Sequence, residues 1–93
     1  MEISFDSAKN ERNIALRISF ERAAEFGWAS AWIRHDIRKD YGEQRYRALG
    51  LIDGRLHMLG YTPRGQRVHV ISLRKANERE VRKYEAQARS RND

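Results

Sequence analysis

The 93-residue chain has no cysteine, so neither a disulfide frame nor thiolate metal ligation is open to it. Long apolar runs are missing too. The opening MEISFDSAKNER carries no apolar h-region of the kind a secretory signal needs, and nothing approaches the ~18 apolar residues of a membrane span. The expectation is a cytoplasmic protein without a membrane partner. No linker, internal repeat or low-complexity stretch divides the chain, which reads as one domain over residues 1–93, with a polar tail at 89–93 expected to fray. A domain of this size buries only about 60–65% of its unfolded surface, so a site on it should be a surface groove and not a deep cavity. The acidic residues Asp36, Asp40 and Glu43 have no histidine partners at ligand spacing; neither a metal site nor a cofactor is expected.

What the chain has in excess is positive charge. Nineteen Lys and Arg stand against 13 Asp and Glu, for a net charge of +6 and a pI near 10.2. Such a balance fits a polyanionic or acidic partner, and it also fits simple solubility.

The order of elements predicts an α+β fold. Glu2 to Phe5 reads as a short strand, and Asp6 or Ser7 can cap a helix through KNERNIALR. Ser19 caps a second helix, FERAAEF, with Phe20, Ala23 and Ala24 on one face and Gly27 as a left-handed stop. WASAWIR alternates as a strand with Trp28 and Trp32 on one face, and HDIRKDYGE reads as a loop.

Two hairpins follow. Asp53-Gly54 is a two-residue primed turn, pairing Ile52 with Arg55 and Gly50 with His57; TPRG is read as a three-residue loop pairing Thr62 with Gln66. That register puts Leu49, Leu51, Leu56, Met58, Val68 and Val70 on a core face beneath the two N-terminal helices. Tyr46, Arg55, His57, Tyr61, Arg67 and His69 fall on the other face, with Leu59, Ile71 and Leu73. Asn77 and Glu80 form a capping box for a final helix, whose Val81, Tyr84 and Ala88 are expected to lie across Ile71 and Leu73.

The segments FDSAKNERN, SFERAAEF and DYGEQRYRALGLIDGRLHMLGYTPRGQRVHVISLRKANEREVRKYE are similar to the BrnT family, toxin halves of bacterial type II toxin-antitoxin pairs. YTPRG and ISLRKAN with the following ERE are the most specific parts, and FDSAK is weaker. The resemblance implies a RelE-like fold with an antiparallel meander, two N-terminal helices packed on one of its faces and a C-terminal helix. It also implies metal-independent RNA cleavage that stops translation. The implied partners are a BrnA-like ribbon-helix-helix antitoxin, operator DNA reached through that antitoxin, and a toxin homodimer among the assemblies such a complex allows. Where family members commonly place a Gly-ended step before SFE, this chain has NIALRISF, so Arg17 must close the first helix without a glycine cap.

RNA cleavage without metal uses the 2′-hydroxyl as nucleophile, so a protein must remove one proton, deliver another and neutralise charge on the phosphorane. Arg64, Arg74 and Lys75 suit the last task. Proton transfer is harder to assign: His69 and His57 are candidates because histidine titrates nearest neutrality, and Tyr84 because it matches the family's C-terminal YE. Lys9, Arg55, His57, Tyr61 and Arg67 are expected to contact RNA, Tyr61 and Tyr46 by stacking. Each residue also has a plain structural reading: Arg64 as a turn cation, Arg74 and Lys75 as strand-end charge, the histidines and tyrosines as cross-strand packing. An alternative from another class is an inactive relative that only binds its antitoxin or RNA.

Overall fold

A computed structural model describes residues 2–91. Its elements are strand β1 (Glu2–Phe5), helix α1 (Ser7–Leu16), two 3₁₀ turns (Phe20–Glu25 and Trp28–Ser30), strands β2 (Trp32–His35), β3 (Tyr46–Ile52), β4 (Arg55–Arg64) and β5 (Arg67–Lys75), and helix α2 (Glu78–Arg91). The five strands form one sheet in the order β1-β5-β4-β3-β2. β2 to β5 make the expected antiparallel meander, whereas β1 adds to its edge in parallel, with Ser4 beside His69. The fold is mixed α+β with a C-terminal helix.

Asp6 caps α1 by accepting the Lys9 amide at 3.0 Å. Arg17 closes the helix at φ −144°, and the missing glycine is offset by Asn13, whose amide donates to the Ile18 carbonyl at 2.6 Å and to the Leu73 carbonyl at 2.9 Å. Ser19 does cap the next segment. That segment is 3₁₀ and not α, and its three-residue period aligns Phe20, Ala23 and Phe26 toward the core while Ala24 stays exposed. Gly27 is not left-handed (φ −81°); its N–H extends to the Leu51 carbonyl at 2.9 Å. WASAWIR is only half a strand, since Trp28–Ser30 turns before β2 begins.

The Asp53-Gly54 hairpin has the expected register, both residues lying at positive φ (51° and 73°). The second hairpin does not. Its turn is Gly65-Gln66, with Arg64 opposite Arg67 and Thr62 opposite His69, and the irregularity sits instead at Gly60/Tyr61, where Tyr61 pairs with Val70 and Gly60 with Ser72. Ile71 is the extra residue. A bulge of this kind reverses side-chain parity along one strand, so Val68 and Val70 before it share a face with Leu73 after it.

The faces are therefore sorted differently from expectation. The main core combines Ala48, Ile52, Leu59, Tyr61, Val68, Val70 and Leu73 under Phe20, Ala23 and Phe26. Phe26 lies flat on Gly50, where any Cβ would overlap the ring. The second face carries Leu49, Leu56 and Met58, and it is onto these, with Trp32, that Val81 and Tyr84 of α2 pack. Helix α2 thus does not cross Ile71 and Leu73. Its Asn77–Glu80 capping box is present in both directions, at 2.8 and 3.0 Å, and the helix continues through Arg91, past the start of the segment expected to fray. Asn92 and Asp93 lie outside the described residues. Among the described residues no helix is long and apolar enough to cross a membrane.

Candidate nucleic-acid interface

The α2 side of the sheet carries a groove of about 240 Å³ between β2, β3, β4, β5 and the start of α2. Trp32, Leu49 and Met58 form its apolar floor. Arg34, Arg47 and Arg74 project from the strands, and Arg79 and Lys83 from the helix, around the Glu80 carboxylate. Glu80 grips Arg74 through two hydrogen bonds, 2.7 and 2.9 Å, while one of its oxygens also accepts the Asn77 amide. The bond to Arg74 holds the Glu80 carboxyl below its ordinary range and raises Arg74 further. The Arg74 guanidinium is consequently fixed in direction and permanently charged. Glu80 and the Lys75 carbonyl take both Nη1 hydrogens and one on Nη2, and the remaining Nε–H and Nη2–H are preoriented donors of a kind that suits a phosphate.

From this groove the same face continues past Gly60, Ile71 and Ser72 toward the loop 36–45, whose Arg38 lies near enough to Arg74 to oppose its charge. The loop is anchored by buried Asp36, which accepts two hydrogen bonds from the Arg38 guanidinium at 2.8 Å each and one from the Tyr41 hydroxyl at 3.2 Å. Arg38 beside it holds the Asp36 carboxyl well below the usual carboxylate range. At the far end of the face stand Arg64, Arg67 and His69. Arg64 is 3.5 Å from Glu43, Arg67 is 3.6 Å from Glu2, and His69 Nδ1 is 2.9 Å from the Ser4 hydroxyl. Burial and the charge of Arg64 push the His69 pKa down, so its imidazole is neutral at neutral pH.

A search of curated proteins and one of solved structures each return no match. The family model for the ribonuclease toxin BrnT of type II toxin-antitoxin systems matches residues 5–80. The chain belongs to the BrnT family. An antitoxin partner and an RNA substrate go with that membership. In this BrnT chain the matched span includes both cationic ends of the face, the capping box and Glu80.

The candidates proposed from sequence separate into three groups. Arg74 lies in the groove, and Arg64 at the end of β4 and Arg67 and His69 on β5 share its face at the opposite end, the bulge having brought Arg74 onto it. Lys9, exposed on α1, is close enough to His69 to bias its charge. Lys75, Arg55, His57 and Tyr61 are on the other face of the sheet, because neighbouring strand residues alternate and the bulge shifts the register. Lys75 is thus not a partner of Arg74. His57 is 4% exposed and its Nδ1 donates to the Arg55 carbonyl; Tyr61 is packed in the core beside Trp28 and Tyr46. Neither offers a surface to RNA. Tyr84 does not line the groove: its ring packs onto Leu49, Leu56 and Met58, and its hydroxyl donates to the Ser30 carbonyl at 2.8 Å.

Sequence reasoning passed over Trp32, Arg34, Arg47, Arg79 and Lys83, and read Glu80 only as a cap. The signal was available in YRALGL, where Arg47 shares a face with Leu49, and in WIR, where Trp32 and Arg34 share theirs.

Proposed function

We propose that this BrnT chain is a cytoplasmic, metal-independent endoribonuclease on a RelE-like scaffold, which inhibits translation by cleaving RNA. A BrnA-like ribbon-helix-helix antitoxin neutralises it and couples it to operator DNA. The observation that carries the cleavage reading is Arg74, held by both oxygens of Glu80 at the wall of a basic groove. In the reaction the 2′-oxygen bonds to the adjacent phosphorus and the bond to the 5′-oxygen breaks, leaving a 2′,3′-cyclic phosphate and a 5′-hydroxyl. The proton lost by the 2′-hydroxyl is balanced by one gained at the leaving oxygen. Charge grows on the phosphorane oxygens as this proceeds, and a prealigned guanidinium stabilises that state more than the ground state. Arg64, Arg67 and Lys9 hold flanking phosphates further along the same face. An acidic antitoxin segment laid over this face would occlude it.

The test is single-turnover cleavage with EDTA present. Wild-type protein should cleave RNA to cyclic-phosphate ends, and Arg74→Met should be slower by about 100-fold or more. Cleavage abolished by EDTA and restored by magnesium would refute the mechanism, and an unimpaired Arg74→Met would remove Arg74 from it.

A further inference from the structure

We propose that Trp32, Arg34 and Arg47 form a nucleotide subsite that takes one unpaired base and its phosphate from single-stranded RNA, beside the phosphate at Arg74. The proposal rests on the reading of Arg74 as the cleavage-site cation and adds to it the part of the substrate that the enzyme recognises.

Three observations point to a ligand. Arg34 and Arg47 are directly paired across β2 and β3, on one face, and like charges in that position repel. Among the described residues no carboxylate forms an ion pair with Arg34, and the ion pair of Arg47 is with Glu80 at 3.7 Å, too long for a hydrogen bond and to a carboxylate already shared with Arg74. The fold therefore retains a repulsion that an anion between the two would relieve.

Arg47 supplies the second observation. Its Nε–H is buried and has no acceptor among the described residues. Proteins seldom leave a desolvated donor empty, and the side chain that carries this one lines the groove. A phosphate oxygen is the acceptor that matches both the charge and the fork geometry.

The third is the Trp32–Arg34 stack. The Arg34 guanidinium carbon lies 4.7 Å from the indole centroid, and both side chains line the groove with Arg74. Indole and guanidinium planes are the surfaces on which unpaired bases stack. In a duplex the base faces are already covered, so this arrangement selects single-stranded or looped RNA. Stacking tolerates any base, so the subsite supplies affinity and alignment more than sequence preference.

The test uses the full chain and a short single-stranded RNA carrying 2′-O-methyl groups, which cannot supply the nucleophile. Binding should quench Trp32 fluorescence; Trp28, enclosed by Phe26 and Tyr61, should contribute little to the change. Arg47→Met and Arg34→Gln should each weaken binding about tenfold and reduce the salt dependence by about one phosphate. Arg82→Gln, an exposed α2 cation outside the groove, should do neither. Annealing the probe to its complement should abolish the quenching. The free Arg47→Met protein should also melt at a higher temperature than wild type, because the substitution removes an unsatisfied buried donor; a residue with only a structural role would lower it. If both arginine variants bind as wild type while Arg74→Met no longer cleaves, the subsite is refuted and the cleavage reading stands. If they lose binding while Arg74→Met cleaves normally, the subsite stands and the cleavage site lies elsewhere. Equal binding and quenching by the duplex would overturn the stacking assignment.

Discussion

Replacing Glu80 by Ala should both destabilise the fold and disorder the groove, because one side chain serves three contacts. It accepts two charge-assisted bonds from Arg74 and one from the Asn77 amide. Its side chain is 13% exposed and that of Arg74 24%, so solvent replaces these bonds only in part. Breaking a fully buried ion pair from one side costs about 3–5 kcal/mol. Discounted for the exposure here, and with the cap's contribution of about 1 kcal/mol added, a loss of about 2–4 kcal/mol is expected. For a domain this small each kcal/mol corresponds to about 4–8 °C in melting temperature. Urea unfolding gives the free energy, and single-turnover cleavage at a temperature where the variant is folded gives the rate. The rate should fall at least tenfold, because Arg74 would lose the partner that orients it. Glu80→Gln, which keeps one acceptor oxygen, should recover part of the stability. A Glu80→Ala protein within 0.5 kcal/mol of wild type, on the order of measurement scatter, would refute the clamp. Lost stability with unchanged cleavage would mean that Arg74 needs no such orientation.

Tyr84→Phe should cost about 1 kcal/mol in urea unfolding through loss of the hydrogen bond to Ser30 and should leave cleavage unchanged; a large fall in single-turnover rate without a stability change would return the hydroxyl to the chemistry. The pH dependence of stability should have a contribution from Asp36, whose folded-state carboxyl is held below its unfolded value by Arg38. The sign is that of a depressed acid: its stabilisation is complete above the unfolded pKa of about 4 and is lost as pH falls below it. Melting curves of wild type and Asp36→Asn should therefore differ at pH 7 and converge toward pH 2, and a difference that widens in acid would contradict the assignment.

How far the sequence revealed this depended on whether the signal was local. The caps at Asp6, Ser19 and Asn77, the primed turn at Asp53-Gly54 and the α+β order were all legible, since each depends on a few adjacent residues with strong conformational preferences. The 3₁₀ form of Phe20–Glu25 was not, because FERAAEF suits an α-helix by propensity and only the requirement to seat Phe20, Ala23 and Phe26 on the sheet selects the tighter winding. The second hairpin was read with a Pro63–Gly65 loop, where the turn is Gly65-Gln66 and the partner of Thr62 moves three residues, from Gln66 to His69, because Pro63 and Gly65 permit two loop lengths. That slip changed the residues assigned to each face.

The bulge at Ile71 has the larger consequence. Strict alternation from Val68 to Lys75 would place Arg74 with Val68 and Val70, on the side that the N-terminal segments cover. One inserted residue moves Arg74 to the opposite face, where Met58, Arg47 and the start of α2 can surround it. The same insertion turns Leu73 inward to fill the core beside Leu59, so the apolar requirement and the cationic requirement are met by one irregularity. Deleting Ile71 would restore alternation and force a choice between an arginine in the core and a leucine in the groove. The bulge is accordingly the local feature on which the basic groove depends, and it falls at Gly60, where a Cβ would displace the facing Ser72 hydroxyl.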